Sequence, residues 1–248
     1  MQEIILGIVQ GATEFLPVSS SGHLTLFSKL FGIDPNLPLF SFLHIATLLA
    51  ILIFVGKEVI EIINGLVKFD KKYCTLILKL IVSTLPAGIF GILFNSKIEN
   101  SFNSLKLVAF FFLLTSSALF LSDKLGNNKN FFAISYLDAL IIGIFQMLAI
   151  FPGISRSGFT LFGALLVGMQ REKALKYSFL MSIPVIFGAG VLESKNLQFN
   201  SLTFFSGLMA FIVGLFSLYI LKKVTVTKKL KIFGYYCLVI AMVAFFLG

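Results

Sequence analysis

The chain has 248 residues, of which 58% are hydrophobic and only 12% charged, and its mean hydropathy is +0.99. A soluble domain carries about 25% charged residues, so an ordinary water-soluble enzyme is excluded and a polytopic helical membrane protein is indicated. The net charge of +9 does not point to nucleic acid, because no basic run is interleaved with aromatics on a polar face; Lys-rich cytoplasmic loops account for it.

In chain order, the first apolar segment covers roughly 2–16. It has no preceding Lys or Arg and no small-residue cleavage site, so it is expected to stay in the mature protein. It is short of the roughly 20 residues that span a bilayer, and it runs into the turn PVSSSG. Spanning candidates follow at 39–56, 74–94 and 105–122. A second short segment, 135–151, runs into PGISRSG, and three more spans follow at 174–192, 202–221 and 232–247. A Pro- and Ser/Gly-rich turn at membrane depth is tolerated only where protein or a wet cavity surrounds it. Both short segments therefore read as re-entrant helix–loop–helix hairpins. Cys74 and Cys237 lie far apart in apolar sequence without CxxC spacing and read as inert small hydrophobes.

The two hairpins are copies. A shift of 136 residues aligns 7–22 with 143–158 without a gap, and Gly7, Ile8, Gln10, Phe15, Ser19, Ser21 and Gly22 meet identical residues. Five of those seven identities are Gly, Ser or Gln, which shared greasiness does not explain. Three spans lie between the copies, an odd number, so the second unit enters from the opposite face. The expected fold class is an all-α integral membrane protein with an inverted-topology repeat: about six spanning helices plus two re-entrant helix–loop–helix hairpins. It is one polytopic membrane domain, 1–248, with repeat units of about 1–130 and 131–248. Lysines and arginines then orient it. The face opposite the first residue holds Lys57, Lys68, Lys71, Lys72, Lys124, Lys129, Arg171, Lys173, Lys176, Lys222, Lys223, Lys228, Lys229 and Lys231. The starting face holds only Lys29, Lys97, Lys106 and Lys195, which puts both termini on the outer side of the membrane.

The polar residues of the hairpins are the candidate chemistry. Gln10 and Glu14 share a helix face. An acid in a membrane segment usually faces a cavity or partner, although one at a helix end can also snorkel to water. The mate of Glu14 in the second copy is the apolar Ile150, which suggests a task for the acid rather than a scaffold role. Ser19, Ser20, Ser21 and Gly22 precede a helix start, where free N–H groups bind anions and serines also serve as caps; one hydroxyl beside a base can act as a nucleophile. His23 suits proton transfer, against the plainer reading of a satisfied core histidine. His44, inside FLHIATLLAIL, reads as a polar contact supporting the hairpins, outside the reacting groups. Arg156 is either paired with Glu14 or held for an anionic ligand, and its planar fork suits phosphate. Arg171, Glu172 and Lys173 read as ordinary interfacial charges, as do Glu58, Glu61, Glu99 and Glu193, and Asp138 as a helix cap. One acid, one His, one Arg and serines at helix starts suit a phosphate ester or anhydride, and the apolar setting suits a lipid tail.

QGATEFLPVSSSGHL and PGISRSG resemble the paired motifs of the undecaprenyl-diphosphate phosphatase, or bacitracin-resistance, family, and the likeness covers nearly the whole chain. The resemblance implies hydrolysis of undecaprenyl diphosphate to undecaprenyl phosphate, which recycles the carrier lipid for peptidoglycan synthesis and confers bacitracin resistance. It implies Glu14, Ser20, His23 and Arg156 as catalytic residues. Gln10, Ser19, Ser21, Gly22, Ser155, Ser157 and Gly158 are then the substrate-binding set. On this expectation Ser20 attacks, Glu14 is the base, and His23 handles the leaving-group proton, with His23 as the rival nucleophile. A divalent cation, Mg²⁺ or Ca²⁺, is implied too, with Glu14 as its best ligand and no convincing cage around it. The partners expected are the lipid diphosphate and membrane lipids, not nucleic acid, in a bacterial plasma membrane with the pocket opening outward; the sequence leaves a homo-oligomer open. The alternative is a lipid-phosphate transporter or flippase built on the same repeat.

Overall fold

A computed structural model describes residues 2–32, 37–193 and 199–248, which leaves Lys195 outside the described residues along with the side chains of Glu99 and Glu193. All secondary structure among the described residues is helical apart from one isolated bridge, Lys129 to Met169. Twelve helices follow in order: α1 Gln2–Phe15, α2 Ser20–Phe31, α3 Leu37–Phe54, α4 Gly56–Val67, α5 Lys71–Leu93, α6 Asn95–Ser101, α7 Leu105–Ser122, α8 Tyr136–Leu148, α9 Arg156–Leu166, α10 Arg171–Glu193, α11 Ser201–Val226 and α12 Lys231–Leu247.

Three of these, α5, α7 and α11, are long and apolar enough to cross a bilayer. Bent by 74° at a one-residue break, α3 and α4 together make a fourth. Large apolar side chains point outward along them, among them Ile53, Ile92, Phe110 and Phe216. A surface so apolar needs lipid around it, so the chain is a multi-pass membrane protein. The stretch 57–67, expected to be loop, is helix α4: its Ile and Val residues recur at helical spacing among the charges that made it look like a surface connection.

Side-chain caps set six of the twelve helix starts among the described residues. Asp70 accepts from Lys72 N at 2.9 Å, Ser104 from Leu107 N at 3.3 Å, and Asn200 from Thr203 N at 2.9 Å. Asp138 does cap, in a reciprocal box: Ser135 Oγ accepts from Asp138 N at 3.0 Å, and Asp138 accepts from Ser135 N at 2.8 Å.

Each hairpin packs on one long helix, α1 on α11 and α8 on α5. The two repeat-related glycines make this close approach possible. A Cβ on Gly7 would overlap the Ser206 backbone of α11, and one on Gly143 would overlap the Ser83 backbone of α5. Small residues let helices meet where lipid supplies no hydrophobic drive. Helices α3 and α10 pack together, as do α7 and α12. Phe179 of α10 is held edge-on between Phe15 of α1, at 5.8 Å, and Phe54 of α3, at 5.7 Å; such pairs contribute about 0.5–1.5 kcal/mol each beyond burial.

Arg171 departs from the interfacial role expected of it. It is buried, and its Nη2 donates to the carbonyls of Ser122, Asp123 and Leu125 at 2.7, 3.0 and 2.9 Å. Asp123 in turn accepts from Leu230 N and Lys231 N, both at 3.0 Å. This clamp ties the Lys-rich loops between α7 and α8 and between α11 and α12 to the start of α10. Glu172 remains an ordinary surface charge, 3.2 Å from Lys222. Glu58 is buried and bonded to Lys176 at 2.5 Å, joining α4 to α10.

Candidate active site

The two Ser-rich turns touch. Ser19 sits at φ 67°, outside the usual range for a non-glycine residue, and its Oγ accepts two backbone N–H groups. One comes from Gly22 at 3.2 Å within its own turn, and the other from Gly153 at 3.0 Å in the second hairpin. In the second turn Ser155 Oγ accepts from Gly158 N at 3.1 Å, as Ser19 does from Gly22. Ser21 lies 3.4 Å from Ser19, and Ser157 lies 3.2 Å from Ser155. Ser157 also reaches across to donate to the Leu16 carbonyl at 3.3 Å. Gly153 adopts φ 102°, a conformation glycine accepts freely, and a side chain there would overlap the Val108 carbonyl.

Above this seam lies a cavity of ≈ 240 Å³, room for about eight waters. Its polar wall is Glu14, Ser19, Ser20, Ser21, Ser41, His44, Asn95, Gln146, Ser155 and Arg156. The remaining wall is apolar, with Phe40, Ile150 and Ile186 and, from α6 and the following turn, Ile98 and Phe102.

Glu14 is the hub. It is 5% exposed, a position that an unpaired carboxylate could hold only at great cost. Its Oε1 accepts from the Arg156 guanidinium of the other hairpin. Its Oε2 accepts from Ser20 Oγ at 2.6 Å and from Gln10 Nε2 at 3.0 Å, and it lies 3.3 Å from His44 Nε2. The other ring nitrogen of His44 lies 2.7 Å from the Phe40 carbonyl. A His44 ring protonated on both nitrogens would donate to the carbonyl and to the carboxylate together. The Arg156 guanidinium is the fixed cation of the wall, and Arg156 opens the helix α9 with its side chain on the lining. An anion is the ligand this wall favours.

Of the predicted site residues, Glu14, Ser19, Ser20, Ser21, Ser155 and Arg156 line the cavity together. Gln10 lies behind Glu14, while Gly22, Ser157 and Gly158 build the turns beneath. His23 is elsewhere: it is 1% exposed and absent from the cavity wall. Its Nδ1 donates to the Ser19 carbonyl at 2.8 Å, and its Nε2 lies 2.8 Å from the Tyr236 hydroxyl. It stacks on the Tyr236 ring at 5.6 Å. The imidazole at the carboxylate is His44, whose repeat mate Leu180 is apolar. The asymmetry that singled out Glu14 against Ile150 would also have found it.

A divalent cation does not fit the protein's own donors. Both Glu14 oxygens are engaged, the Arg156 guanidinium and the His44 ring flank them, and no group of three His, Cys, Asp or Glu could hold a metal among the described residues. Oxygen-rich cages suit Mg²⁺ and Ca²⁺, and none is present there.

The carboxylate of Glu14 is bridged to Arg156 of the second turn, one of the two roles the sequence left open for that arginine. A family model described as bacitracin resistance protein BacA matches residues 3–243. The chain belongs to the BacA family. Among curated relatives, the undecaprenyl-diphosphatase of Thermosipho africanus is 65% identical over 248 residues, all of both chains. That of Thermosipho melanesiensis is 63% identical over 246 residues, 99% of this chain and 98% of its own. The undecaprenyl-diphosphatase of Methanococcus maripaludis is 54% identical over 238 residues, 96% of each chain. The BacA match covers both hairpins and every residue of the cavity wall.

Proposed function

We propose that this chain is an undecaprenyl-diphosphate phosphatase, a membrane hydrolase that releases phosphate from undecaprenyl diphosphate and leaves undecaprenyl phosphate. The Glu14–Ser20–Arg156 constellation in one cavity carries the reading, and the names of the relatives agree with it. Such a reaction recycles the carrier lipid of peptidoglycan synthesis and underlies bacitracin resistance.

In the proposed mechanism Arg156 and the N–H groups of the two turns grip the diphosphate. Ser20 Oγ attacks the terminal phosphorus and gives its proton to Glu14, 2.6 Å away. The bond from that phosphorus to the bridging oxygen breaks, and undecaprenyl phosphate leaves with the electron pair. Glu14 first releases the Ser20 proton to solvent. Water then attacks the phosphoserine phosphorus and gives a proton to Glu14, the bond from phosphorus to Ser20 Oγ breaks, and Glu14 returns the proton to Oγ. This frees Ser20 and inorganic phosphate. His44 holds the carboxylate in place. His23 serves in this reading by fixing the Ser19 carbonyl and hence the turn; the leaving phosphate is stable as an anion and needs no proton from it.

The finer architecture is part of the proposal. Equivalent Ser–Gly bonds in both turns, equivalent glycine contacts on α11 and α5, and the α3–α10 and α7–α12 pairings support an inverted repeat with two re-entrant hairpins and about six spans. Residues of α6 on the cavity wall belong to the Lys-poor face, which supports an opening and both termini on the outer side. A divalent cation required for turnover would be carried on the diphosphate oxygens rather than by the protein.

The test is phosphate release from a prenyl diphosphate by purified protein, with acid-quench trapping of the labelled intermediate. Label on Ser20 supports the mechanism, and label on His23 removes it. Lipid movement between leaflets without phosphate release would instead favour a flippase.

A further inference from the structure

Gln146 is the repeat mate of Gln10, and the two carboxamides differ at the nitrogen, while the Gln10 oxygen, like the Gln146 oxygen, has no hydrogen-bond partner among the described residues. Gln10 Nε2 donates to Glu14, one turn further along α1. One turn beyond Gln146 stands Ile150, which offers no acceptor. Both the nitrogen and the oxygen of the Gln146 amide lack a hydrogen-bond partner among the described residues, and the side chain is 2% exposed. It is nevertheless on the cavity wall, with Arg156, Ser155 and Glu14. A buried amide left unbonded costs about 1–3 kcal/mol, so an unbonded amide on a residue that lines a cavity is suited to a ligand that supplies the missing partners.

We propose that Gln146 is a substrate-contacting residue: its Nε2 donates to a phosphoryl oxygen of the bound lipid diphosphate, and its Oε1 accepts from a water molecule carried with that headgroup. This rests on the lipid-diphosphate reading of the same cavity. The alternative acceptors facing it are engaged, since both Glu14 oxygens are bonded within the protein. A neutral donor beside Arg156 adds direction without adding charge, which holds the headgroup in one orientation while leaving the phosphate free to depart.

The experiment compares wild type, Gln146→Leu and Gln146→Glu by phosphate-release kinetics, by thermal unfolding of the lipid-free protein in detergent, and by binding of a non-hydrolysable prenyl methylene-diphosphonate. Gln146→Leu is expected to raise KM and the analogue's Kd about tenfold, to leave kcat within about threefold, and to leave Tm unchanged or raised, because an unbonded amide is gone. Gln146→Glu, which sets a carboxylate against the phosphate, is expected to weaken binding further. Unchanged KM and Kd in Gln146→Leu would overturn the proposal, and so would a fall in Tm with Kd unchanged, which marks a structural amide. Should the leucine variant not fold, Gln146→Met, unbranched and similar in length, carries the same expectations. Wild-type protein that releases no phosphate overturns the reading of the cavity itself; wild-type turnover with an unaffected variant overturns only the role of Gln146.

Discussion

Ser20 and Glu14 make one short hydrogen bond, 2.6 Å, between a half-buried hydroxyl and a buried carboxylate, and most of the proposed chemistry passes through it. Ser20→Ala is expected to lower kcat at least ~10³-fold and to leave no trapped phospho-enzyme. The two histidines should separate cleanly. His44→Ala removes a contact to Glu14 and is expected to lower kcat on the order of 10²-fold with Tm little changed, because the side chain borders an open cavity. His23→Ala opens a packed site between Ser19 and Tyr236 and is expected to cost about 1–3 kcal/mol of stability while the folded fraction keeps turning over. Phosphate release normalised to folded protein, measured beside thermal unfolding, distinguishes these; loss of turnover in well-folded His23→Ala would return the leaving-group role to that residue. His44 was hard to read from sequence because α3 is apolar all round. No periodicity says which way a lone polar residue in such a helix points, and only its packing against α1 settles that. His23 stands one turn along α2 from Ser20, and what turns its ring from the cavity is a pair of partners that sequence does not reveal, the Ser19 carbonyl and the Tyr236 hydroxyl.

Among elements, the two Ser-rich turns and the helices that flank them were the legible part. Several of the repeated positions carry structure: Ser19 and Ser155 accept turn N–H groups, and Gly7 and Gly143 admit a neighbouring backbone. Adding side-chain volume at that contact should therefore push the hairpin off its support. Gly143→Val is expected to destabilise by about 1–3 kcal/mol, read as a lowered Tm, with kcat per folded molecule falling as Arg156 shifts against Glu14. Helix α4 was not legible, because its charges were taken as a loop signal and its break from α3 depends on the bend at Val55. At the start of α10, the hydrogen bond from Lys222 holds the Glu172 carboxyl below the usual carboxylate range. A depressed folded value stabilises above the unfolded carboxylate pKa of about 4.3 and is lost as pH falls through the folded one. The pair is well exposed, so the effect is under about 1 kcal/mol, and Glu172→Gln is expected to alter Tm only slightly at neutral pH and progressively less as pH falls through the folded carboxyl's lowered pKa. A large Tm loss at neutral pH would mean that this surface pair belongs to the Arg171 clamp beside it.

For the molecule as a whole, composition alone identified the membrane class, and the loop lysines led to an orientation that the structure leaves open to direct test. With Cys74 and Cys237 replaced by serine, Lys97→Cys in α6 is expected to react with a membrane-impermeant maleimide from outside intact cells, and Lys228→Cys only after permeabilisation; the reverse pattern would invert the assignment. The closure between hairpins could not be read from sequence, because each turn has unmet polar groups that only the other satisfies. The charge arrangement around Glu14 has a consequence for the end of the catalytic cycle. The Arg156 guanidinium attracts inorganic phosphate as it attracts the diphosphate, and this product has no lipid tail to draw it out. Return of the Glu14 carboxylate to the Arg156 fork is then expected to help displace the anion, and inhibition by added phosphate, stronger in Glu14→Gln, is the measurement that checks it. The ion pair across the hairpins acts, in this sense, as the ejector that empties the site for the next lipid.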